Sequence, residues 1–160
     1  PASILNFINH AVLSKTHQKD ANEVIDGMDV VFARFDLENK KISLAGARNP
    51  VIIVRNGEIL EIKTDKLSVG QLKENDSFSQ FEIDIHSHDN IYLFSDGYAD
   101  QKGGSENKKF MLSEFRKLLI ETTLLSSPEK QKEKVMSTLI NWMGNGNQID
   151  DILVVGVKII

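Results

Sequence analysis

The sequence predicts an α+β protein in which antiparallel β-sheets are flanked by helices. Segments with strand character follow one another between residues 29 and 94 without an intervening helix. Helical periodicity is confined to the start of the chain and to residues 112–143, after which a last apolar strand follows. Strands grouped in this way favour antiparallel pairing over repeated strand–helix–strand units.

The first half of the chain predicts one helix followed by strands. Residues 3–17 form the predicted helix, because apolar residues recur on one face, namely Ile4, Leu5, Ile8 and Val12. Strands are predicted at 29–35, 42–45 and 51–54, which are rich in β-branched and other apolar residues. Asn56-Gly57 is a hairpin signal, because both residues tolerate positive φ, and it predicts a partner strand over 58–63.

The second half predicts two more strands before the later helices. Residues 81–85 alternate between apolar and charged side chains, as a half-buried strand does. Asp89-Asn90 predicts a turn, and the apolar strand 91–94 then leads directly into Ser95-Asp96-Gly97. The Gly-rich and Lys-rich segment 101–109 is interpreted as a flexible flap.

Two helices and a strand complete the predicted order. The first helix begins near Leu112, and the second begins at Ser127-Pro128-Glu129, which combines a capping hydroxyl, a first-turn Pro and an early acid. Its predicted buried face comprises Val135, Leu139, Ile140 and Trp142. Gly144 to Gly146 end this helix, and the last strand covers residues 152–157.

Composition restricts the functional classes. The chain has 160 residues, 41% of them hydrophobic, a net charge of -4 and no cysteine. Disulfides and thiolate metal sites are therefore excluded, and nucleic-acid binding is disfavoured because it needs a basic surface. No apolar run reaches the roughly 18 residues of a membrane span, so we expect no membrane contact by this segment. The absence of cysteine leaves the redox compartment open, and the default expectation is the reducing cytoplasm. Pro1-Ala2-Ser3 lacks an initiator Met, from which we expect a piece of a longer protein.

Two aspartates stand out by their position at strand ends. Asp96 follows the apolar strand 91–94, and Asp150 precedes the strand 152–157. If these strands are neighbours, both carboxylates meet at one rim of a sheet, where magnesium or manganese could bind oxygen ligands. An Asp-Gly turn and a solvated acidic loop are the alternative interpretations of the same residues.

Five ordered segments resemble one known family. Residues 94–100 (FSDGYAD) resemble its hydrophobic-[ST]-D-G-hydrophobic-x-[DE] segment, and residues 147–152 (NQIDDI) resemble its closing D-D-hydrophobic segment. Residues 44–50 (LAGARNP) resemble its A-G-x-N-P turn, with the following hairpin at 55–58 and a strand entry at 26–28. Together they resemble the SpoIIE-like branch of the metal-dependent, PPM-type serine/threonine protein phosphatases.

The resemblance implies a layered PPM-type phosphatase domain that hydrolyses phosphoserine or phosphothreonine with metal-activated water. It assigns metal-ligand positions to Asp96 and Asp150, and it allows a metal-binding or supporting role for Gly97 and Asp151. Two divalent cations, manganese or magnesium, are expected in the intact domain. The implied substrate is a small phosphorylated regulatory protein of the anti-sigma-factor-antagonist type. The implied partner is an upstream sensor domain in the same polypeptide. That upstream region could also anchor the parent protein to a membrane.

Three departures from the family pattern bear on activity. The early G-D-x-x-D and D-x-x-G-H-G segments, which supply metal ligands, are not found in these 160 residues. We therefore expect residues 1–160 to be a phosphatase domain incomplete at its N-terminal side, with low activity, weak or no metal binding and a tendency to self-associate. Leu153 stands where the family often has Thr, and Ala47-Arg48 replaces a common Gly-His.

Other candidate residues leave further interpretations open. Arg48 and Asn49 are candidate phosphate contacts because of the donor fork of Arg, although Arg48 could equally be an outward strand residue. His86 and His88 have metal-compatible spacing but no evident third ligand, so a surface loop is favoured. A non-catalytic regulatory or dimerisation module is the alternative function. A phosphatase with an Asp nucleophile is disfavoured, because the segment at Asp96 does not match D-x-D-x-[TV].

Overall fold

The computed structural model describes residues 1–16, 27–72 and 76–160, and its antiparallel sheets and helices confirm the predicted α+β class. In chain order the elements are α1 (Ala2–Thr16), β1 (Val30–Asp36), β2 (Lys41–Ala47), β3 (Val51–Arg55), β4 (Glu58–Ile62), β5 (Phe81–Asp84), β6 (Asn90–Phe94), α2 (Gly97–Asp100), β7 (Lys102–Gly103), β8 (Lys108–Lys109), α3 (Leu112–Thr123), α4 (Pro128–Met143) and β9 (Val154–Lys158). The predictions that involve His17 and Asp26 lie outside the described residues.

The chain divides into two compact units. The first comprises Pro1–Val51 and Ile62–His86, and the second comprises Ile52–Glu61 and Ser87–Ile160. In the first unit, the sheet has the order β1-β2-β5, and α1 buries Leu5 in a cluster with Ala45 of β2. This cluster supplies the hydrophobic core of the unit.

Two asparagines of α1 hold the loop that follows β4. The side chain of Asn9, which is buried, donates to the carbonyl of Leu72 at 3.2 Å and accepts from the amide of Gly70 at 2.7 Å. Asn6 accepts from the amide of Phe78 at 2.8 Å. These bonds satisfy loop backbone groups that would otherwise be costly to leave unpaired.

The second unit contains a sheet of order β4-β3-β6-β9 and the helices α2, α3 and α4. Its core joins the sheet to α3, as shown by the edge-to-face contact of Phe94 with Phe115 at a centroid distance of 5.0 Å. α4 contributes Val135, Leu139 and Trp142, which are only partly buried. The prediction that Ile140 belongs to the buried face is wrong, because this side chain is 59% exposed.

A partly buried ion pair that the sequence did not indicate lies at the start of β6. Asp89 is 1% exposed and accepts from Arg55 at both oxygens, at 2.9 Å from Nε and 2.8 Å from Nη2. The predicted Asp89-Asn90 turn is therefore displaced, because Asn90 already belongs to β6. The pair joins the end of β3 to the beginning of β6.

The predicted ends of α4 are confirmed. The hydroxyl of Ser127 accepts from the amide of Lys130, with Pro128 in the first turn. Gly144 follows the helix with φ of 56°, a conformation that glycine adopts without a Cβ penalty. Within the described residues, none of the helices combines the length and apolar character of a membrane span.

Candidate active site

Asp96 lies where the buried central strand β6 passes into α2. It occupies the N-cap position of this short helix, and its backbone carbonyl accepts from the amide of Asp100 at 2.9 Å. Its side chain is exposed. The sequence predicted a turn at Asp96-Gly97 and did not indicate α2, which is only four residues long.

Tyr98 anchors α2 in the core of the second unit. Its ring is 1% exposed and contacts Phe115 and Phe110 at centroid distances of 4.5 and 5.3 Å. Its hydroxyl donates to the carbonyl of Val135 on α4 at 2.8 Å. Burial raises the pKa of Tyr98 well above its usual value, so the phenol remains a neutral hydrogen-bond donor. These contacts of Tyr98 hold α2 in place, and Asp96 is the N-cap residue of that helix.

Asp150 and Asp151 lie in the segment that joins α4 to β9, and both side chains are exposed. The backbone amide of Asp151 donates to Oδ1 of Asp150 at 2.7 Å. The side-chain amide of Gln148 donates to the backbone carbonyl of Asp150 at 2.7 Å. A shallow depression of about 370 Å³ is lined by residues 148–151.

The two acidic segments meet at one end of the sheet. β6 and β9 are antiparallel neighbours, with Phe94 opposite Val154. The hydroxyl of Ser95 donates to the carbonyl of Asp151 at 2.8 Å and accepts from the amide of Leu153 at 2.9 Å. The two strands are thus neighbours, which was the condition for the two aspartates to meet at one rim, whereas the metal-binding role of Asp96 and Asp150 remains a prediction.

Gly97 permits the close approach of these segments. A Cβ atom at this position would lie 2.3 Å from the carbonyl oxygen of Asp151 and 3.2 Å from Cγ1 of Ile152. Since real Cβ atoms do not approach other atoms so closely, a side chain at Gly97 would push the segments apart. The geometry gives Gly97 a packing role, and Asp151 contributes its backbone carbonyl to the same contact.

Gln101 is a buried polar residue of the site that sequence reasoning missed. It directly follows α2, is 0% exposed, and bonds through its side chain to the backbone at Asn147 and Ile149. A single Gln within a Gly-rich and Lys-rich segment carries no motif, so only its contacts reveal it.

The segment after Gln101, for which the sequence predicted a flexible flap, contains a short paired ribbon. β7 and β8 pair as a short antiparallel ribbon, and the amide of Gly104 donates to the carbonyl of Trp142 at 2.8 Å. A Cβ at Gly103 would lie 1.9 Å from that same carbonyl oxygen. The glycines therefore serve close packing of this ribbon against the end of α4.

Arg48 and Asn49 lie in the first unit, in the turn between β2 and β3. Arg48 is exposed, has φ of 64°, and donates its backbone amide to the carbonyl of Asp65 at 2.7 Å. The carbonyl of Asn49 accepts from the Thr64 hydroxyl at 3.0 Å. Because the acidic residues belong to the second unit, the phosphate role of Arg48 and Asn49 stays a prediction.

The donor set at the rim fits part of a site for a hard divalent cation. Asp96 and Asp150 offer exposed carboxylate oxygens, and magnesium is often held by one or two carboxylates together with water and substrate oxygens. Among the described residues, no group of three or more His, Cys, Asp or Glu side chains is arranged to hold a metal ion. His86 and His88 accordingly have no third ligand in that part of the chain.

Comparison with known proteins points to one family. The model of the family described as stage II sporulation protein E, SpoIIE, matches residues 1–160. The solved SiaA-PP2C domain of Pseudomonas aeruginosa is 25% identical with a TM-score of 0.85. The SpoIIE PP2C phosphatase domain of Bacillus subtilis, solved with a fragment of its regulatory domain, is 17% identical with a TM-score of 0.66. No curated protein sequence matches significantly.

A third similar structure contains metal, and all three are longer than the matched region. The catalytic domain of the serine/threonine phosphatase PstP, in complex with two manganese ions, is 13% identical with a TM-score of 0.62. The matches cover 99%, 82% and 92% of this chain, but only 60%, 37% and 65% of the SiaA, SpoIIE and PstP chains. The chain thus spans about three fifths of the SiaA domain to which it is similar.

Proposed function

This chain belongs to the SpoIIE family and has the fold of PP2C-type phosphatase domains, and from this premise we propose that its parent polypeptide is a protein serine/threonine phosphatase. By parent polypeptide we mean the complete natural protein to which these 160 residues belong. The observation that carries the proposal is the contact between the segments bearing Asp96 and Asp150 at one end of the sheet.

In the proposed reaction, the carboxylates of Asp96 and Asp150 would hold divalent cations. The chemistry supplied by such cations would be activation of a water molecule and neutralisation of the phosphoryl charge. The protein contributes orientation: β6 and α2 fix Asp96, and the Ser95–Asp151 hydrogen bond fixes the segment of Asp150. Manganese or magnesium would suit this oxygen donor set, and manganese is the ion in the similar PstP structure.

The test is phosphopeptide hydrolysis by the purified parent polypeptide with manganese. Asp96→Ala and Asp150→Ala should each reduce kcat by at least about 100-fold, because each removes a carboxylate that holds the catalytic ions. Asp36→Ala is the matched control, since Asp36 is an aspartate at the end of β1 in the first unit, whereas Asp96 and Asp150 lie in the second. Full activity of Asp96→Ala would refute the proposal.

We further propose that the substrate is a small phosphorylated regulatory protein of the anti-sigma-factor-antagonist type, and that an upstream sensor domain controls its hydrolysis. The resemblance to the SpoIIE-like branch supports both statements, and the similar SpoIIE structure includes a fragment of a regulatory domain. A faster reaction with the intact phosphoprotein than with its phosphopeptide would support recognition of a folded regulatory substrate. Equal kcat/KM for the two would contradict it.

Residues 1–160 alone are proposed to be a phosphatase domain of low activity, because the described residues provide no three-ligand metal group. Rapid hydrolysis by these 160 residues, abolished by Asp96→Ala, would contradict this part of the proposal. The alternative is a non-catalytic regulatory or dimerisation module. It predicts that the parent polypeptide neither binds manganese nor hydrolyses phosphopeptides.

Self-association of the 160-residue chain is proposed from the position of β9. This strand lies at one edge of the four-stranded sheet. Its residue Val155 is 40% exposed, and Leu153, which lies just before the strand, is 61% exposed. An exposed edge strand with apolar side chains can pair with another chain. Val155→Lys should reduce the apparent mass in light scattering, whereas Leu124→Lys, at an exposed site on the end of α3, should not. A wild-type chain that stays monomeric at high concentration would contradict the proposal.

A further inference from the structure

The side chain of Gln101 makes three hydrogen bonds inside the protein although it is 0% exposed. Its amide nitrogen donates to the carbonyls of Lys102 and Asn147, both at 3.0 Å, and its oxygen accepts from the amide of Ile149 at 3.3 Å. Both amide hydrogens and the oxygen therefore have partners. A buried amide costs free energy unless it is paired in this way.

The partners of Gln101 lie next to one of the two acidic residues. Asn147 and Ile149 belong to the segment between α4 and β9, and Ile149 directly precedes Asp150. Gln101 itself follows α2, whose first residue comes directly after Asp96. One side chain thus connects the end of the helix that follows Asp96 to the backbone that leads into Asp150.

The backbone of Gln101 is held as firmly as its side chain. Its carbonyl accepts from the indole nitrogen of Trp142 at 3.0 Å and from the amide of Phe110 at 2.9 Å. By contrast, residues 144–151 are all exposed and bury no apolar side chain. The hydrogen bonds from Gln101 therefore tie this exposed segment to the core of the second unit.

We propose that Gln101 is a positioning residue for the cation site: its carboxamide fixes the backbone at 147–149 so that the Asp150 carboxylate is held ready to bind a divalent cation. This inference rests on the proposed function. A partner that orients a metal ligand typically changes metal affinity by about 10- to 100-fold when it is removed. A Gln that merely fills the core would affect folding alone.

The test compares Gln101→Met with wild type in the parent polypeptide. Met has a similar length and flexibility but makes none of the three hydrogen bonds. The Kd for manganese is measured by titration calorimetry, and the melting temperature is measured with chelator. We expect the Kd to rise about 10- to 100-fold. Tyr92→Phe is the matched control, because it removes another buried hydrogen bond of the second unit, to Thr122, and should lower the melting temperature without changing the Kd.

A double-mutant cycle separates positioning from other effects. In an Asp150→Asn background, Gln101→Met should produce no further rise in the manganese Kd, because Gln101 acts through Asp150. If Gln101→Met does not fold, Gln101→Asn serves instead: it keeps an amide but is one methylene too short to reach the same partners, and it should raise the Kd similarly.

The outcomes distinguish this inference from the proposed function. If wild type binds manganese and Asp150→Asn weakens binding while the Gln101 variants bind like wild type, the positioning role is overturned and the phosphatase proposal stands. If wild-type parent polypeptide neither binds manganese nor hydrolyses phosphopeptides, the proposed function itself is overturned. A rise in Kd for Gln101→Met that persists unchanged in the Asp150→Asn background would also overturn the positioning role.

Discussion

Gly97→Ala tests whether close packing of the two acidic segments is needed for the site. The new Cβ would lie 2.3 Å from the Asp151 carbonyl oxygen, and because such contacts are not found below 3.0 Å, the segments must separate by about 0.7 Å. The clash is with backbone, so rotation of a side chain cannot relieve it. The 2.8 Å hydrogen bond from Ser95 to the same oxygen would be stretched or lost.

The expected destabilisation follows from these contacts. Overpacking of this kind costs about 1–3 kcal/mol, and the weakened Ser95 hydrogen bond adds about 1 kcal/mol. We expect a loss of about 3 kcal/mol in the free energy of unfolding. The displaced Asp150 should also raise the manganese Kd at least about tenfold.

The assay combines urea unfolding, followed by circular dichroism, with calorimetric titration of manganese, both on the parent polypeptide. Gly156→Ala is the matched control: it makes the same chemical change on β9, where the nearest atom to a new Cβ is a ring carbon of Tyr92 at 3.2 Å. The control should change stability by less than about 1 kcal/mol. If Gly97→Ala has the same stability and the same manganese affinity as wild type, close packing at Gly97 is not needed for the site.

Three further predictions concern the stability of the two units. Asp89→Ala removes the bidentate partner of Arg55, whose side chain is itself 26% exposed, and should cost about 2–3 kcal/mol in urea unfolding. A loss below about 1 kcal/mol would contradict a structural role for this pair. Ser127→Ala removes the hydrogen bond that caps α4 and should lower the free energy of unfolding in urea by about 1 kcal/mol. An unchanged free energy of unfolding would contradict this prediction. Two hydrogen bonds from Asn39 lower the pKa of Asp36 below the usual 3.8, and the bond from the side chain has a larger effect than the bond from the backbone amide. A lowered folded-state pKa stabilises the protein above the unfolded value, and this contribution is lost as the pH falls through the folded value. Unfolding measured below pH 4 should therefore depend less on pH in Asp36→Asn, and an identical pH dependence would contradict this assignment.

The sequence was sufficient to predict those features that depend on residues close to one another along the chain. Ser127-Pro128 predicted the start of α4, and the structure confirms the cap. The strand signals flanking Asp96 and Asp150 predicted two strand ends, and the pairing of β6 with β9 brings the two segments together. These predictions succeeded because capping and strand formation depend on neighbouring residues.

Residues that act through long-range contacts could not be predicted in the same way. Arg55 and Asp89 are 34 positions apart and meet only because β3 pairs with β6. Gln101 lies 46 positions from Asn147 and belongs to no periodic pattern. Ile140 illustrates a related error: it extends the apolar stripe of α4 in sequence, but the helix presents Val135, Leu139 and Trp142 to the core and leaves Ile140 in solvent.

The manganese ligands can be identified by anomalous diffraction at the manganese edge, from crystals of the parent polypeptide soaked in manganese. We expect an anomalous peak in contact with the carboxylates of both Asp96 and Asp150. Manganese bound elsewhere in an active enzyme, with these two side chains making no contact to it, would show that Asp96 and Asp150 are not the metal ligands.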